Sequence, residues 1–75
     1  MTFKEQLAHR LILLRHLHNF TQEEIGDKIG VTRYVISHWE SGATSAISPE
    51  NIAKLAQTYK VSSDYILGLK DGVLK

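Results

Sequence analysis

The stretch GVTRYVISHWESG, Gly30 to Gly42, gathers the side chains of this chain best equipped for polar recognition. Arg33 brings a planar guanidinium fork, Tyr34 a ring with a hydroxyl, and His38 an imidazole one turn further on. Thr32, Ser37 and Ser41 add short hydroxyls. Such a set offers hydrogen bonds to acceptors and anions. No Ser-His-Asp arrangement, glycine-rich phosphate loop or paired-carboxylate cleft stands out, so neither an enzyme nor a small-molecule substrate is expected. His9 and His16 are seven apart on one helix face and His18 is close by, but three such ligands would still need a further partner and a closed geometry. They are read as surface histidines, with no metal and no cofactor.

Composition bounds the possibilities. A chain of 75 residues makes one domain near the lower limit for folding without staples. It has no cysteine, which fits a reducing, cytoplasmic setting. The longest apolar run, Leu11 to Leu14, is far too short to span a bilayer, and MTFKEQL lacks the apolar stretch of a signal peptide. No membrane association is expected. Nine Lys/Arg against eight Asp/Glu leave a net charge of +1, so positive charge directed at any anionic partner must be well placed.

The elements that must hold these residues are helical, because apolar spacing is helical nearly throughout. A first helix is predicted from Phe3 to about His18, with Thr2 and Glu5 as a capping box and Leu7, Leu11, Leu14 and Leu17 as its inward stripe. Asn19 suits the left-handed turn that follows. Thr21 and Glu24 repeat the capping-box spacing before a second helix that carries Ile25 and Ile29 and stops at Gly30. Thr32 caps a third helix, Arg33 to about Ser41, whose inner face is assigned to Val35, Ile36 and Trp39. Arg33, Tyr34, Ser37, His38 and Ser41 are thereby left outward. Ser48 and Pro49 open a fourth helix with Ile52, Leu55, Ala56 and Tyr59 inward, and SDYILGL forms a short fifth. Residues 1–69 form the domain and residues 70–75 a short tail. Within the pair of helices from Gln22 to Trp39 the connection is so short that they must cross steeply, and Gly26 supplies the small residue at the crossing at about 0.8–1.0 kcal/mol of helix propensity.

The run FTQEEIGDKIGVTRYVISHWESG, with LLR before it and KVSSDYILG after it, resembles the Cro and lambda-repressor-like (XRE) helix-turn-helix family from about Leu13 to Gly68. The resemblance implies a compact all-α domain of five helices, with the helix-turn-helix formed by the second and third. It implies that the third helix enters the major groove of double-stranded DNA. Arg33 then suits guanine O6 and N7, Tyr34 a thymine methyl or a phosphate, and His38 a base acceptor or phosphate. Thr32 and Ser37 suit phosphates or base edges. Gln22 is placed to grip a phosphate at the start of the second helix, with Ser41 and Thr44 as backbone contacts. Arg15 and Glu40 match a structural ion pair between the first and third helices.

The function this implies is sequence-specific transcriptional regulation by a phage or bacterial repressor, a two-fold dimer on a palindromic operator. Tyr65, Ile66, Leu69, Val73 and Leu74 supply a possible homodimer surface, or Ile66 and Leu69 simply seal the bundle. The rival is a protein-binding antirepressor or antitoxin-type regulator that uses the same scaffold to bind a partner regulatory protein. It is motivated by the near-neutral charge and the uncharged loop Ala43–Ala46. A third possibility is that these residues are the DNA-binding half of a longer repressor.

Overall fold

The computed structural model describes residues 2–69. Five helices follow in order: α1 (Phe3–Leu17), α2 (Gln22–Ile29), α3 (Arg33–Glu40), α4 (Pro49–Tyr59) and α5 (Ser63–Leu67). Among the described residues there is no strand, and no helix is long and apolar enough to cross a membrane.

Local chemistry sets most of the boundaries. The Glu5 N–H donates to Thr2 Oγ1 and the Thr2 N–H returns a bond to Glu5 Oε1, closing the box at the start of α1. Thr21 and Glu24 do the same for α2. Thr32, Ser48 and Ser62 accept from the third backbone N–H of α3, α4 and α5. Gly30 ends α2 in the left-handed region, where the N–H groups of Gly30 and Val31 both donate to the Gly26 carbonyl, at 2.8 and 2.9 Å. Asn19 turns the chain after α1 with φ of +58°, and Lys60 does so after α4 at the same φ.

One core joins all five helices. Leu7, Leu11 and Leu14 of α1 meet Ile25 and Ile29 of α2, Ile36 and Trp39 of α3, Ile52, Leu55, Ala56 and Tyr59 of α4, and Tyr65 and Ile66 of α5. Three expectations fail here, and one open alternative is decided. Leu17 is 59% exposed. At about 100° per residue it falls well off the line of Leu7, Leu11 and Leu14, and the fourth step of that stripe is His18. His18 is half-buried, its ring stacked on Phe20 and tilted against Tyr59, with Nδ1 3.0 Å from the Leu14 carbonyl oxygen. It is therefore not the surface histidine expected, whereas His9 and His16 are exposed. Val35 is also outward, because a two-turn helix buries only the narrow arc of Ile36 and Trp39. Finally, Tyr65 and Ile66 seal the bundle and offer no free surface; Leu69 is exposed, while Val73 and Leu74 lie outside the described residues.

Candidate nucleic-acid interface

The α2–α3 pair depends on close backbone approach. A Cβ built on Gly26 would stand 2.6 Å from the Val31 carbonyl oxygen and 3.3 Å from the Thr32 carbonyl carbon. Both are backbone atoms, so no side-chain rotation relieves the contact. The turn thus lies directly on α2, and α3 departs from it with Ile36 and Trp39 driven into the core.

The other flank of α3 is tied by charge. Arg15 donates from Nε to Glu40 Oε2 at 2.8 Å and from Nη2 to Glu40 Oε1 at 3.0 Å, a two-pronged pair with side chains 14% and 6% exposed. Its remaining prong, Nη1, donates to the Phe20 carbonyl at 3.0 Å. The hydrogen bond to Glu40 holds the Arg15 guanidinium above its usual range, against the opposing pull of burial. Glu40 Oε1 also accepts from Gln22 Nε2 at 3.1 Å. Four points of the chain, on α1, the following turn, α2 and α3, therefore converge on one carboxylate and one guanidinium. The tie of Gln22 to Glu40 was not legible in the sequence, since the two are 18 residues apart and meet only through the helix crossing.

With its inner face so occupied, α3 presents Arg33, Tyr34, Ser37 and His38 to solvent. Arg33 leans over its neighbour, its guanidinium carbon 5.1 Å from the centroid of the Tyr34 ring and Nη2 donating to the Tyr34 hydroxyl at 3.3 Å. The first turn of α3 holds no acidic residue, whereas each of the other four helices has one there. A cation at the positive end of a helix dipole is mildly unfavourable for the helix and favourable for holding an anion in front of it.

The hydroxyl residues divide differently. Thr32 Oγ1 accepts from the Val35 N–H at 3.4 Å. Ser41 donates from Oγ to the His38 carbonyl at 2.6 Å and accepts from the Ala43 N–H at 3.2 Å. Thr44 Oγ1 accepts from the Ala46 N–H at 2.9 Å. All three shape their own turns, and Ser41 and Thr44 together order the uncharged loop after α3. Gln22 is half-buried at the rim of an open depression of about 550 Å³, bounded also by Arg15, Phe20, Thr21, Glu23 and Arg33. The depression therefore runs from the start of α2 to the start of α3. Val35, 36% exposed, is the one side chain of this face that the periodicity assigned inward.

The amino-acid sequence that builds this fold matches a known family. The family model described as Helix-turn-helix matches residues 5–66, and the chain belongs to that family in its Cro and lambda-repressor-like (XRE) form. It is also similar to a Bacillus subtilis (strain 168) protein, YobD, described as an uncharacterized HTH-type transcriptional regulator, with 41% identity over 65 residues. That stretch takes in 85% of this chain and 56% of the relative, so the chain spans little more than half the relative's length.

Proposed function

We propose that this chain is a sequence-specific double-stranded-DNA-binding transcriptional regulator that seats α3 in the major groove and represses by occluding a promoter. The observation that carries the reading is the division of labour on α3. Ile36, Trp39 and Glu40 are consumed by the fold, while Arg33, Tyr34, Ser37 and His38 face outward with their hydrogen-bonding capacity largely unspent. Arg33 supplies the fork that pairs with guanine O6 and N7, and Tyr34 and His38 extend the contact along the groove. Gln22, on the rim of the depression, is assigned to a backbone phosphate, with Thr32, Ser41 and Thr44 as shorter contacts beside it. Membership of the helix-turn-helix family and likeness to a named transcriptional regulator support this reading. Residues 1–69 are assigned as the binding domain and residues 70–75 as a tail. One two-turn helix reaches few base pairs, so a homodimer on a palindromic operator follows.

A second reading, that the same face clasps a partner protein, is favoured by the net charge of +1 and by the uncharged Ala43–Ala46 loop. A gel shift over the DNA beside the protein's own coding region, with and without neighbouring gene products, separates the two. Arg33→Ala should abolish the shift and leave the melting temperature nearly unchanged, since Arg33 is exposed and rests only on the equally exposed Tyr34 ring. Loss of a protein complex, with no DNA shift by either form, would establish the second reading.

A further inference from the structure

One charged group of the fold is left without a counterpart. Arg10, half-buried on the flank of α1 that meets α5, lays its guanidinium on Gly68, the left-handed cap of α5. A Cβ built on Gly68 would stand 2.7 Å from Nη2 and 2.9 Å from both Cζ and Nη1, so this contact requires glycine. Nη1 is buried and has no hydrogen-bond partner among the described residues, while Nη2 makes only a long bond, 3.5 Å, to Gln6 Oε1. No carboxylate of the described residues pairs with it. A charged donor buried in this way costs stability until an acceptor reaches it, and the planar fork of a guanidinium is best met by a carboxylate.

The same flank carries uncovered apolar surface. Leu13 and Leu17 follow Arg10 at i+3 and i+7, on one stripe of the helix, and are 45% and 59% exposed. Leu69, next to Gly68, is 74% exposed. The described chain therefore stops beside an unpaired guanidinium and two exposed leucines of α1. Residues 70–75, KDGVLK, carry an acid and an apolar pair. Asp71 is three residues past Gly68, a reach of at most about 10 Å, and is the sole acidic residue after Asp64. Asp-Gly is a turn-forming pair, and Val73 and Leu74 follow it. The five residues from Leu69 to Leu74 can span about 17 Å, against about 10 Å from Arg10 to Leu17 along α1.

We infer that residues 70–75 fold back onto α1, where Asp71 accepts hydrogen bonds from Arg10 and Val73 and Leu74 cover Leu13 and Leu17. This latch fastens α5 to α1 on a flank about 140° around the helix from Arg15, which holds α3. It makes no use of the outward face of α3 and stands independently of the DNA-binding reading.

The test uses the 75-residue chain, methyl-labelled for nuclear Overhauser measurements. Cross-peaks are expected from the Val73 and Leu74 methyls to those of Leu13 and Leu17, within one molecule and at every protein concentration. The charge pair is tested by thermal melting. Asp71→Asn should lower the melting temperature by about 5 °C, the shift that one hydrogen bond to a charged group produces in a domain of this size. In the Arg10→Met background, which keeps the stem of the side chain and removes its donors, Asp71→Asn should cost nothing further. Absence of the cross-peaks overturns the latch, as does an Asp71→Asn penalty that persists undiminished beside Arg10→Met. Cross-peaks seen only between differently labelled molecules would seat the segment on a second copy and overturn it equally.

Discussion

Glu40 accepts hydrogen bonds from two elements at once, and its burial makes that arrangement sensitive to any missing partner. Removing the Arg15 side chain would leave a carboxylate with a 6% exposed side chain held only by Gln22. Breaking a buried pair by removing one partner costs about 3 kcal/mol or more. Arg15→Ala should therefore lower the melting temperature by more than about 10 °C in a domain of this size. Arg15→Ala combined with Glu40→Ala should cost less than the sum of the single changes; an unchanged melting temperature in Arg15→Ala would count against the pairing. Tyr59 gives a second expectation at this scale. Burial pushes its phenol above the ordinary range, the Glu40 charge adds to the shift and Arg15 opposes it. The folded state thus holds the Tyr59 proton more tightly than the unfolded chain, whose tyrosines titrate near pH 10. The resulting stability is fully present below about pH 10 and is lost as pH rises beyond it. Thermal melts from pH 8 to pH 11 should show a steeper alkaline decline for the parent chain than for Tyr59→Phe.

Among the elements, the α2–α3 joint has the least tolerance. The space over Gly26 is closed by the backbone of Val31 and Thr32, so a branched side chain there must push the turn outward. Gly26→Val should destabilise the domain by about 1–3 kcal/mol, as overpacking does, and should misplace α3 more than the other helices. Amide protection in the turn and in α3, measured by hydrogen exchange, is the direct check. Helix starts were legible at this scale because a cap is a local interaction: Thr2 with Glu5, Thr21 with Glu24, and Ser48 before Pro49 are each read within four residues. Which flank of a helix is covered was less legible. Val35 is apolar and near the expected stripe, yet the neighbouring helices do not extend over it.

For the whole molecule, what matters is how sparingly charge is distributed. Three of the nine Lys and Arg side chains are engaged within the fold: Arg15 serves Glu40, Lys28 lies 5.1 Å over the Phe20 ring, and Lys54 reaches Glu50 and the Ile29 carbonyl. The net charge of +1 limits the excess of positive charge that can face phosphate. Operator binding should accordingly weaken with salt at about −0.9 in log–log slope for each phosphate neutralised, and the total slope should be shallow. Titration of the gel shift across salt concentrations measures it. A tight interaction with no salt dependence at all is incompatible with DNA as the ligand.

Read alone, the residues determined the helix count, the caps, the left-handed turn at Asn19 and the crossing glycine, because each rests on contacts within a turn or two of the chain. They also separated most of α3 into an inner and an outer face, since 3.6-residue periodicity does so without knowledge of neighbours. Tertiary packing alone decided the rest. Only the positions of the other helices drew Tyr65 into the core, closed Gln22 onto Glu40 and left Val35 beside Tyr34 in solvent. Those outcomes depend on how far each neighbour reaches across a helix, which is a property of the assembled bundle and is not encoded in the spacing along any one helix.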